Sequence, residues 1–203
     1  MRDRPPGRPV VVIVPSIYWK GYVKEEDFKK NCNSSVDGKW AVATLNAFID
    51  EAINNISKQW QSTPAVKCLV LAGHSGAYRI FNPLANEFKS NPKTASGGKL
   101  AMLKEVWALD ETYGTGSVEA LQDWAKALAE TCRFTAVLNN DVSNGWDCTQ
   151  ENKIKPFDCW NRFYPEPKRQ QPLKNLKMIS VDDSHCLIPQ KWIETLLSRM
   201  PRC

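Results

Sequence analysis

No run of apolar residues in this chain approaches the ~18 that a membrane-spanning helix needs, and its start, MRDRPP, lacks the apolar segment of a secretory leader. No membrane span is expected, while the compartment stays open, because a leader removed earlier would leave no trace. Histidine is scarce, with only His74 and His185. Seven cysteines form neither a C-x-x-C pair nor a zinc-binding spacing with those histidines, so no structural metal is expected. The formal charge of +5 is modest, and its basic residues are mixed with acids rather than gathered in a stripe. The basic excess between residues 153 and 177, which includes Lys168 and Arg169, lacks the aromatic and glycine pattern of an RNA-binding module. It reads as a solvated loop, and no nucleic-acid partner is expected. Two N-x-S sequons, at Asn33 and Asn55, are about what chance supplies and leave the compartment undecided. There is no internal repeat.

What the chain does hold is ordinary material for one domain over residues 1–203: 42% hydrophobic and 24% charged. Its most informative stretch is LVLAGHSGAY, residues 69–78. An apolar run of Val66, Cys68, Leu69, Val70, Leu71 and Ala72 ends in Gly73, His74, Ser75, Gly76 and Ala77, and a helical pattern of Ile80, Phe81, Leu84 and Phe88 follows. The run predicts a strand buried on both faces of a parallel sheet, and the sequence at its end predicts a nucleophile elbow. There a serine takes a strained turn from strand to helix and tolerates only small residues two positions to either side. Gly73 fills one of those positions and Ala77 the other.

Around this stretch the elements alternate. Residues 10–14 (VVVIV) predict a first strand, and apolar spacing over residues 39–60 predicts a helix capped by Asp37. Residues 105–109 predict a strand ending at Asp110, and Val118, Leu121, Trp124, Ala125 and Leu128 predict a helix. A strand at 134–138 follows, then a long irregular excursion over about residues 139–175. A last strand at 177–181 leads through His185 to a helix opened by Pro189. The fold class is therefore α/β: a three-layer sandwich with a mostly parallel sheet of about five strands and helices on both faces. Cys148 and Cys159 flank the irregular loop and are placed to pair in an oxidising compartment, whereas Cys68 is expected as a buried thiol in a core strand.

Reactive groups in such sheets gather beyond the carboxyl ends of the strands, where Ser75, Asp110, Asp141 and His185 all fall. A serine hydroxyl needs a base, usually a histidine oriented by a carboxylate. His74 is adjacent to Ser75 and should point away from it, which leaves His185. Asp110, directly after a clear strand, is preferred as the orienting acid, with Asp141 in reserve. Asp182 and Asp183 are too close to His185 in sequence and read as a solvated turn. Cys186, beside His185, is a poor nucleophile because adjacent side chains on an extended loop diverge.

GHSGA after a buried strand, an acid after a later strand and a histidine near the end, in the order Ser…Asp…His, resemble the α/β-hydrolase superfamily. GHSGAYR followed by ALDETYG is further similar to bacterial hydrolases of that superfamily that carry GHSGGYR and LD-x-x-YG motifs. The resemblance covers most of the chain from Val10 onward, and it implies the triad Ser75, Asp110 and His185. The departure lies in the oxyanion hole. One N–H should come from Gly76, but no His-Gly dipeptide supplies the usual second donor. Ser16 or Ile17, after the first strand, are the candidates for it.

The expected activity is hydrolysis of carboxylic esters through an acyl-enzyme, with no cofactor and no metal. The expected partner is a small-molecule ester or amide. Trp146 and Tyr113 are expected to touch substrate, and Trp160, Phe163 and Tyr164 to share a pocket wall or form a satellite core. An amidase or peptidase with the same triad, and a non-catalytic binding protein on the same scaffold, are the alternatives. Oligomeric state is open.

Overall fold

The β-branched and apolar runs form strands that lie side by side in one parallel sheet. The computed structural model describes residues 41–91, 98–111, 117–139, 173–183 and 187–200. The chain divides into two units between Val36 and Asp37, and every described residue belongs to the second. Its strands are β1 (Leu69–His74), β2 (Leu103–Leu109), β3 (Arg133–Asn139) and β4 (Leu176–Val181). They pair in the order β1-β2-β3-β4, all parallel. Three of the predicted strands are thus present with their ends extended by one or two residues. The fifth, at residues 10–14, lies outside the described residues.

β1 departs from expectation. It was expected to be buried on both faces, but Leu69, Val70 and Leu71 are half-buried and Ala72 is exposed. Among the described residues β1 pairs only with β2, so its apolar composition comes with an edge position rather than a central one. β2 and β3 are the buried centre, with Val106, Ala108, Ala136, Val137 and Leu138 all shut off from solvent.

Each strand step turns the side chain to the other face, and the two faces carry different helices. Phe134 meets Trp124 of α3 (Ser117–Ala127), edge to face with centroids 5.6 Å apart. Phe81 and Phe88 of α2 (Tyr78–Ser90) close on the same indole at 5.5 and 5.2 Å, so Trp124 joins both helices to one face. On the other face Trp107, Leu109 and Val137 pack with Ile188 and Leu196 of α4 (Ile188–Ser198). Both β-α-β connections run in the same direction along the sheet, which under right-handed crossover puts α2 and α3 together. Pro189 stands in the first turn of α4, where its missing N–H is harmless.

The helix preceding the elbow strand, α1 (Val42–Trp60), buries Val42, Leu45 and Ile49. The expected cap, Asp37, lies outside the described residues, and the helix starts instead from Ala41 with no side-chain cap. Val42 N–H donates to Glu87 Oε2 of α2 at 2.7 Å, so a carboxylate distant in sequence meets an orphan donor at the helix start. Further along α1, Asn46 Oδ1 accepts from the N–H groups of Lys99 and Leu100. That contact fixes the 3-10 turn Gly98–Met102 leading into β2.

The cysteines correct another expectation. Cys68 is disulfide-bonded rather than a thiol, and it sits half-buried just before β1, not within a core strand. Among the described residues Cys132 is a free, buried thiol, whose ionisation burial pushes up to about 12, helped by the Glu105 charge. Cys148 and Cys159 lie outside the described residues. Among those residues, no helix is long and apolar enough to cross a membrane.

Trp124 is fully buried and touches three rings, so its loss should open a large cavity. Trp124→Ala is expected to cost about 3–5 kcal/mol of unfolding free energy, read by urea denaturation. A loss under about 1 kcal/mol would show that the ring cluster does not hold α2 and α3 to the sheet.

Candidate functional site

β1 ends in extended backbone at His74 (φ −133°, ψ 143°), and Ser75 then turns to φ 55° before the helical run begins. An L-residue in the left-handed region costs about 1–2 kcal/mol, so Ser75 is held there by its surroundings. Residues Ser75–Ala77 form one 3-10 turn that continues directly into α2. The sharp reversal lifts the serine off the strand at the head of a helix.

The small residues flanking Ser75 follow from packing. A Cβ on Gly73 would fall 2.7 Å from Ala77 Cβ and 2.7 Å from Phe81 Cζ, which no side chain tolerates. Gly73 and Ala77 face one another across the turn, and only one of the two can carry a methyl group. Ala77 has ordinary helical backbone (φ −63°, ψ −17°), so alanine in place of glycine there costs nothing conformationally. A Cβ on Gly76 would meet nothing within 4 Å. Gly76 stands at the start of the helical run, where main-chain N–H groups lack helical partners and the dipole favours negative charge.

Asp110 follows β2 as Ser75 follows β1, and the two strands are neighbours. It is completely buried and also left-handed, with φ 48°. Hydrogen bonds from both its main chain and its carboxylate hold it. Its carbonyl accepts Ser75 N–H at 3.2 Å, its own N–H donates to Val137 O at 2.6 Å, and its Oδ1 accepts Asn139 N–H at 3.0 Å. The ends of β1, β2 and β3 are therefore tied through this one residue, with its carboxylate fixed beside the elbow.

Two participants were not visible in the sequence. Asn139, 2% exposed, ends β3 and orients the Asp110 carboxylate through its main chain, a role that leaves no side-chain signature. Glu111 is 1% exposed, and its Oε2 has no hydrogen-bond partner. Burial, with the adjacent Asp110 charge, pushes its carboxyl up from about 4.5 to about 8. Two acids in a row after a strand that buries nearly every residue were the available signal. Burial and the neighbouring Asp110 thus both favour the protonated form of Glu111.

Of the predicted site residues, Ser75, Gly76 and Asp110 are brought to one sheet edge. His185, Asp141, Ser16, Ile17, Tyr113, Trp146, Trp160, Phe163 and Tyr164 lie outside the described residues. Asp183 pairs with Lys191 of α4 and Asp182 is exposed, as expected of a solvated turn. Among the described residues no cluster of three or more histidine, cysteine or acidic side chains could hold a metal ion.

Because Glu111 holds its proton more tightly folded than unfolded, its contribution to stability is fully present below about pH 4.5 and is lost as pH rises through about 8. The window is worth on the order of 5 kcal/mol at about 1.36 kcal/mol per pKa unit. Glu111→Gln should flatten this slope, so that the variant gains several degrees in Tm over the parent at pH 9 but not at pH 5. Parallel Tm profiles across pH 5–9 would remove the neutral acid from the account. Comparison of the chain with protein-family models, with curated proteins and with solved structures finds no match.

Proposed function

We propose that this chain is a serine hydrolase that cleaves carboxylic esters through an acyl-enzyme. The observation that carries the reading is Ser75 itself: a non-glycine residue at φ 55° between a parallel strand and a helix, with Gly73 and Ala77 fitted around it. Few structural needs put a serine in that conformation at a strand's carboxyl end, whereas an exposed nucleophile requires it.

In this reading Ser75 Oγ attacks the ester carbonyl as His185 takes its proton. His185 stands in sequence between the end of β4 at Val181 and the start of α4 at Ile188, and β4 ends on the same sheet edge as β1. The carbonyl π electrons move to oxygen, and the Gly76 N–H, at the positive end of the helical run, stabilises the oxyanion. Ile17 N–H is the candidate for the second donor. Collapse expels the alkoxide, which leaves as the alcohol with the proton from His185. Water, deprotonated by His185, then releases the acid and restores Ser75. Asp110, buried and with one oxygen already held by Asn139 N–H, orients the imidazole. Trp146 and Tyr113 contact the substrate. The disulfide at Cys68 suits an oxidising compartment.

A fluorophosphonate probe should label the full chain at Ser75, and p-nitrophenyl esters of several chain lengths should be turned over. Ser75→Ala should abolish labelling and lower kcat by about 10³-fold or more. Asp110→Asn keeps the acceptor for Asn139 N–H, so it should fold while losing orders of magnitude in rate, and Asp141→Asn should not. A folded protein that takes no label would be a binding protein on this scaffold. Turnover of matched amides but not esters would make it an amidase.

A further inference from the structure

The opposite end of the sheet holds a second feature, unrelated to Ser75. α4 stops at Ser198, and among the described residues its end borders a gap over the start of β3 and β4 on its side of the sheet. The gap is an open pocket of about 200 Å³, large enough for one tetrahedral oxyanion and the group that bears it. Arg133, Lys174, Lys177 and Arg199 line it, over a floor that includes Ile179 and Leu196.

Charge in this cavity is one-sided. Glu105 is the acid lining it, and both its oxygens are engaged: Oε2 accepts Trp107 Nε1–H at 2.6 Å, and Oε1 accepts from Arg133. Among the described residues, Lys174, Lys177 and Arg199 have no ion pair. Three uncompensated cations around a concave wall repel one another and focus a positive potential into the gap. The frame beneath them is fixed. Asn175 Nδ2 donates to Ala125 O at 2.8 Å and Cys132 O at 3.0 Å, and Asn175 O accepts Phe134 N–H at 2.6 Å. Leu176 N–H closes the turn onto Leu173 O at 2.9 Å, so Lys174 is presented from a pinned loop.

We propose that this cavity binds a phosphate or sulfate group. A monocarboxylate would leave most of the positive charge uncompensated, whereas a multivalent oxyanion accepts several N–H donors at once and fits the planar fork of Arg199. The group comes either from a soluble phosphate or sulfate ester or from an anionic lipid headgroup.

The test uses the full-length protein at constant ionic strength, with inorganic phosphate or sulfate replacing chloride and Tm as the readout. A saturable rise in Tm beyond chloride is expected, with its midpoint shifted at least tenfold in K177Q/R199Q and unchanged in K58Q, a lysine on α1. Both variants should retain the parent's circular dichroism, and their fluorophosphonate labelling should match the parent's whether or not the parent labels, since the two sites are independent. Retention on phosphatidic acid vesicles but not phosphatidylcholine vesicles, reversed by phosphate, would assign a lipid source. Binding of inorganic phosphate without vesicle retention would assign a soluble ester. The proposal is overturned if phosphate acts no differently from chloride, or if K177Q/R199Q responds as the parent does.

Discussion

The contact on which the rest of this site depends is the set of hydrogen bonds through Asp110. Parallel strands deliver their carboxyl ends to one edge, but pairing alone does not fix what happens past the last ladder bond. Asp110 continues the ladder by one residue on both sides, accepting Ser75 N–H and donating to Val137 O. Its side chain then captures Asn139 N–H. Both Ser75 and Asp110 take left-handed backbone, and each conformation is unfavourable by itself. The bond between them means that the two strained turns hold one another in place.

Packing beneath the elbow supplies the second constraint. Phe81 presses against Gly73 from α2, and the same ring meets Trp124 of α3. The position of Ser75 is thereby coupled to the buried ring cluster around Trp124. A neutral Glu111 belongs to the same compromise. Burying it beside Asp110 disfavours its charged form.

Element type and order were legible in the sequence because each segment's hydrophobic period is a local property. The strands at 105–109, 134–138 and 177–181, and the helices after the first and last of them, were read within two residues of their observed ends. Relative burial was harder. The run ending at His74 is as apolar as a central strand, but in this edge strand Ala72 is exposed although it shares a sheet face with Trp107. Cys68 was misread for the same reason: its neighbours are apolar, and its pairing depends on a partner distant in the chain. The cap of α1 could not be read at all, since Glu87 lies 45 residues away.

By itself the sequence determined the spacing that makes an elbow: an apolar run, a serine two residues after Gly73 and two before Ala77, and an acid directly after the following strand. Tertiary structure decided which of those residues meet. Parallel pairing of β1 with β2 puts Asp110 beside Ser75 although 35 residues separate them, and the end of β3 turns Asn139 N–H onto its carboxylate. The division follows from the physics. Periodicity and steric tolerance act between near neighbours, whereas burial, hydrogen-bond partnership and the protonation of Glu111 depend on what the folded chain brings from elsewhere.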